Sequence, residues 1–81
     1  MQVTDQETLK RISKSLRILR GNLSLAEVAR RAESFPTTIK EIEEGKRMPG
    51  VGLLTRIAEA LDSDIASMLS GKPEKKTLQR A

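Results

Sequence analysis

The sequence contains no cysteine, no histidine, no tryptophan and no tyrosine, and its one aromatic residue is Phe35. Structural zinc, haem and iron–sulfur centres draw their ligands from cysteine or histidine, so no such cofactor is expected. A disulfide framework is impossible, in keeping with a reducing compartment. Nucleophilic catalysis by a Ser-His or Cys-His pair cannot be assembled, and no carboxylate pair sits in a recognisable acid–base motif; the expectation is a non-enzyme. Readers of single strands and of RNA stack bases on aromatic rings, and a lone phenylalanine makes no such platform. No apolar run approaches the roughly 20 residues that span a bilayer, so no membrane association is expected. The segment from Met1 to Leu9 carries Asp5 and Glu7 and has no apolar core, unlike a secretory signal. A cytoplasmic protein is the expectation.

With 81 residues, there is room for one small domain. A hydrophobic share of 37% supports a modest helical core, and a charged share of 32% makes the surface ionic. The net charge of +4 is unevenly distributed. Residues 1–24 and 72–81 each carry an excess of three positive charges, 25–50 balance, and 51–71 are net acidic by two. A basic face with basic ends suits a polyanion, although the same pattern serves solubility.

Helical periodicity runs through most of the chain. Leu9, Ile12, Leu16 and Leu19 form one apolar stripe, ended by Gly21-Asn22. Ser24-Leu25-Ala26-Glu27 reads as a capping box, in which the Ser24 hydroxyl accepts from an amide three residues on and Glu27 reaches back. Leu25, Val28, Ala29 and Ala32 are the apolar face of this second, short helix. Pro36 cannot sit inside a helix but suits a first turn, so a third helix is predicted to start there. Phe35, Ile39 and Ile42 fall on its apolar side, and Gly45 closes it. Lys46-Arg47-Met48-Pro49-Gly50 is a basic loop. Leu53, Leu54, Ile57, Ala58 and Leu61 mark a fourth helix, capped by Gly50 or Gly52. Asp64 is the expected cap of a fifth, which carries Ile65, Met68 and Leu69. The domain is expected over residues 1–71, with 72–81 a basic, disordered tail. No strand periodicity is present, so the fold class is all-α.

The string from Leu23 to Ala29, followed by that from Pro36 to Pro49, resembles the helix-turn-helix of the phage repressor and Cro family, also called the XRE family. Ile39-x-x-Ile42-Glu43-x-Gly45-Lys46 is its most specific piece, and the resemblance extends over about residues 8–70. It implies a five-helix, lambda-repressor-like domain that binds double-stranded DNA, usually as a homodimer on a two-fold operator. The second helix of the motif would enter the major groove with its exposed early residues against base edges. Carried onto this chain, those residues are Pro36, Thr37, Lys40 and Glu41, with Thr38 beside them. Ser24 would cap the first motif helix, whose leading amides, with Leu25 at the position where the family often has a phosphate-contacting Gln, would face the backbone. Lys46 and Arg47 fall in the loop that the family uses on phosphates. The family's buried glutamate falls on Glu43, and Arg17 is the expected partner. The chain departs from the family at the turn, where Glu33 replaces a frequent Gly, and at the third helix's cap, where Phe35 replaces Ser or Thr and Ser34 is the alternative cap.

Each of these residues also has a plainer role. Thr37 and Thr38 can cap locally, Lys40 can be a solvated charge, and Glu41 can either accept from cytosine N4 or exclude wrong sequences by repulsion. Arg30 and Arg31 suit a helix surface as well as a phosphate. The leading expectation is a small dimeric repressor that occludes a promoter through a palindromic operator. The alternative is a protein-interaction module of the antitoxin type, with a protein partner and secondary DNA binding, motivated by the acidic residues at 41–44 and 59–64.

Overall fold

The computed structural model describes residues 4–74. Among them are five helices and no strand: α1 (Asp5–Arg20), α2 (Leu25–Arg31), α3 (Pro36–Glu43), α4 (Val51–Ala60) and α5 (Ile65–Ser70). The order and register follow the apolar periodicity. Pro36 opens α3, Gly50 rather than Gly52 caps α4, and Asp64 caps α5 by accepting from the Ser67 amide at 2.8 Å. All but the first three residues of the 72–81 segment lie outside the described residues. Of those three, Glu74 accepts from the Ser63 hydroxyl at 2.7 Å, which ties the chain beyond α5 back to the α4–α5 turn.

The core joins Ile12, Leu16 and Leu19 of α1 to Val28, Ala29 and Ala32, to Ile39 and Ile42 of α3, to Leu54, Ile57, Ala58 and Leu61, and to Met68 of α5. Helix α1 is the spine, lying against both α3 and α5. Two small polar residues on its inner side make those approaches possible. Ser13 and Ser15 are buried, and each donates to a carbonyl across the interface: Ser13 to Ile42 of α3 at 2.5 Å, Ser15 to Ser67 of α5 at 3.4 Å. A buried hydroxyl without such a partner would cost about 1–3 kcal/mol.

One expected core member lies outside. Phe35 is 73% exposed, not on the apolar side of α3 with Ile39 and Ile42. As the N-cap it has extended backbone (φ −121°, ψ 145°), so the helical arithmetic that groups Ile39 with Ile42 does not apply to it.

Candidate nucleic-acid interface

The geometry between α2 and α3 is set at the end of α2. Glu33 adopts φ +55°, in the left-handed region. The Ser34 amide then reaches the Ala29 carbonyl at 2.8 Å and the Glu33 amide reaches Arg30 at 3.3 Å, the paired bonds of a Schellman stop. A non-glycine residue carries strain of about 1 kcal/mol there. Arg56 of α4 secures the same corner, its Nε donating to the Ala32 carbonyl at 2.9 Å. No periodicity singled out Arg56, because its role lies in one carbonyl distant in sequence.

Ser24 caps α2 as expected, its hydroxyl accepting from the Glu27 amide at 3.0 Å. The reciprocal half of the capping box does not form. The Glu27 carboxylate is taken instead by Arg30, at 2.5 Å from Nη2, and by Arg31, at 2.7 Å from Nε. Two cations three and four residues ahead on the same helix face outcompete one backbone amide. Hydrogen bonds from Arg30 first, then Arg31, hold the Glu27 carboxyl down to about 2 from an ordinary 4.5. The Leu25 side chain is half-buried against the core, so it offers a duplex no polar group in place of the family's frequent Gln.

The C-terminal end of α3 is fastened to α1 by three residues in one row, at i, i+4 and i+7. Ser13 binds the Ile42 carbonyl, and Arg17 donates from Nη2 to the Glu43 carbonyl at 2.6 Å. Arg20 takes the Glu43 carboxylate with two donors, Nε to Oε2 and Nη2 to Oε1 at 3.0 Å, and a third bond runs from Nη1 to the Leu23 carbonyl at 2.8 Å. The partner of the buried Glu43 side chain is therefore Arg20, not the expected Arg17, which serves the backbone of the same residue. The row is legible in the sequence, since the arithmetic that aligns the apolar stripe of α1 also aligns Ser13, Arg17 and Arg20, but it does not choose between the two arginines. The bond to Glu43 raises the Arg20 pKa further, outweighing the opposing effect of burial. The last carbonyls of a helix have no intrahelical donors, and here α1 supplies them.

With its far end docked, α3 turns its other face outward. Pro36, Thr37 and Lys40 are exposed, Thr38 and Glu41 half-buried, and Ile39, Ile42 and Glu43 buried. Gly45, at φ +74°, stops the helix and redirects the chain into the basic loop. Lys46 and Arg47 are both exposed there. Arg47 Nε donates to Glu41 Oε1 at 2.8 Å, and Lys46 lies 3.4 Å from Glu44. Glu41 is thereby neutralised where it stands, and Arg47 is oriented beside the outer face of α3 with its remaining donors available. Both residues stand out in the sequence as candidate contacts, but their pairing depends on the path of the chain after Gly45.

Among the described residues there is no cluster of acidic, His or Cys side chains that would hold a metal ion, and no helix is long and apolar enough to cross a membrane. No curated protein matches this sequence. Two crystal structures of the clp gene regulator ClgR from Corynebacterium glutamicum share the fold, each with a TM-score of 0.74 at 24% identity over 80% of this chain, and over 71% and 86% of theirs. The profile of the helix-turn-helix family HTH_3 matches residues 14–67, which takes in α2, α3 and α4 whole, the C-terminal part of α1 and the first half of α5. The capped pair α2–α3, the outward face of α3 and that match together place the chain in the XRE-type helix-turn-helix family of DNA-binding regulators.

Proposed function

We propose that this chain is a sequence-specific repressor of transcription that binds a two-fold DNA operator as a homodimer. The observation that carries this reading is the division of α3. Its rear is docked on α1 through Glu43, and its leading outer face, with Pro36, Thr37 and Lys40, is free to meet a duplex. In the major groove the Thr37 methyl suits a thymine methyl, and Lys40 suits guanine O6 and N7. Thr38 and Glu41 flank that face. Lys46 and Arg47 take adjacent phosphates, and the start of α2 at Ser24–Leu25 lies along the sugar–phosphate backbone. Positioning and base reading are thus divided between the loop and the helix.

A dimer follows from magnitude. One domain with a net charge of +4 makes few phosphate contacts, and each weakens as salt rises. Two domains on one site nearly add their binding free energies. Among the apolar residues of α5, Met68 is fully buried, whereas Leu69, 37% exposed, and the half-buried Ile65 remain for a pairing face. An occupied site across a promoter excludes polymerase, the simplest regulatory output for a domain of this size.

Of the two acidic stretches that motivate a protein-binding alternative, 59–64 leaves Glu59 and Asp62 exposed, whereas 41–44 is engaged internally. Glu41, Glu43 and Glu44 each have a basic partner in the chain, Arg47, Arg20 and Lys46. Selection from random duplexes tests the proposal. The expected product is an inverted repeat with half-site centres about 10–10.5 bp apart, or a multiple of that. A pool that stays random after repeated rounds would refute it.

A further inference from the structure

The N-cap of α3 breaks two rules of folding at one position. A Ser, Thr or Asp there would accept from the first free amides and stabilise the helix, yet Phe35 offers no such bond and Ser34 does not substitute for it. A phenylalanine is favourable when buried, yet this ring is 73% exposed. It is also the one aromatic residue of the chain, placed immediately before Pro36 and Thr37. Residues that oppose local folding preferences concentrate where function needs them. The exposed end of α3 is such a place.

The backbone prepares the ring for contact. Pro36 restricts the residue before it to extended conformations, and Phe35 has φ −121° and ψ 145°. The direction in which the side chain leaves the helix is thus set before any ligand arrives, and little ordering is needed on binding. A benzyl group donates and accepts no hydrogen bond. Against phosphates it gains nothing, and against the polar edges of guanine, cytosine or adenine it displaces water without replacing its bonds. The one apolar group in the major groove is the C5-methyl of thymine.

We propose that Phe35 reads thymine, its ring covering the C5-methyl of one T in each half-site. This rests on the placement of α3 in the major groove, and it adds to Thr37 and Lys40 a specificity residue whose chemistry is purely apolar. Burying one methyl is worth about fourfold in affinity, so a dimer covering two is worth about fifteenfold.

The test uses the full chain and the operator returned by selection. Each thymine is replaced in turn by deoxyuridine, which keeps every hydrogen-bonding group and lacks the methyl. Binding is titrated for the wild type, F35A and F35S. The expected result is one position per half-site at which the wild type loses about fourfold on T→U, and at which both variants bind T and U equally. F35S should melt no lower than the wild type, since a serine restores the cap, and so separates recognition from folding. The proposal is overturned if every T→U change affects wild type and variants alike, or if the variants bind all sequences more weakly by one common factor, as a ring lying on the sugar–phosphate backbone or a protein contact would give. Failure of the underlying reading looks different: the wild type then selects no sequence, and there is no operator for either variant to bind.

Discussion

Removing Arg20 separates the two arginines that face Glu43. The Glu43 side chain is 9% exposed and that of Arg20 is 23% exposed. Arg20→Ala deletes both donors to the carboxylate and the bond to Leu23, and leaves a charge enclosed without its partner. Breaking a buried pair from one side costs about 3–5 kcal/mol. Water reaches the guanidinium side, so the lower end applies, about 3 kcal/mol. Arg17 is itself exposed and makes one bond, to the Glu43 carbonyl, so Arg17→Ala should cost about 1 kcal/mol. A domain of this length holds about 4–12 kcal/mol in total, so the first loss is a large fraction and the second a small one. Urea unfolding followed by circular dichroism at 222 nm gives both values. In thermal melts the Arg20 variant should fall by about 12–24 °C. Replacing the pair together, as Arg20→Met with Glu43→Leu, should recover most of the loss, because two apolar groups enclose no orphaned charge. If Arg17→Ala is as damaging as Arg20→Ala, or if Arg20→Ala is indistinguishable from the wild type, the assignment of the pair fails.

Further outcomes follow from the same structure. Glu33→Gly removes a side chain from a left-handed backbone position and should raise stability by about 0.5–1 kcal/mol, read from the shift in urea midpoint at constant slope. The Glu27 carboxyl is lowered from 4.5 to about 2 in the folded state, so its pairing stabilises fully above pH 4.5 and is lost as pH falls from there through about 2. The difference in melting temperature between wild type and Glu27→Gln should therefore be constant near neutrality and close across that acid window; a difference that persists unchanged to pH 2 contradicts the pairing. Thr37→Ala and Lys40→Ala should change the selected sequence, whereas Lys46→Ala and Arg47→Ala should weaken all sequences alike and reduce the salt slope by about one each. Identical behaviour of all four would remove the distinction between reading and positioning. Glu41→Ala frees Arg47 from its anchor, and should weaken binding uniformly if orientation matters more than the added positive charge.

The sequence alone determined what depends on neighbours along the chain. Helix positions follow from a 3.6-residue apolar period, and their starts from Ser24, Pro36 and Asp64, because capping and proline geometry are settled within three or four residues, whereas the choice of Gly50 over Gly52 came from the structure. The outward face of α3 was legible for the same reason, since Ile39 and Ile42 mark its inner side and leave Thr37 and Lys40 opposite. The tertiary structure decided what depends on how helices cross. Arg17 and Arg20 stand on one face of α1, less than a turn apart, and periodicity ranks them equally. Only the height at which α3 meets α1 gives the carboxylate to one and the carbonyl to the other. The tie from Arg56 to Ala32 spans two helices that share no local pattern, and the engagement of Glu41 by Arg47 depends on where the chain returns after Gly45. Phe35 lay beyond sequence reasoning because hydrophobicity predicts burial only where the backbone turns a side chain inward, and the extended residue before Pro36 turns this one out.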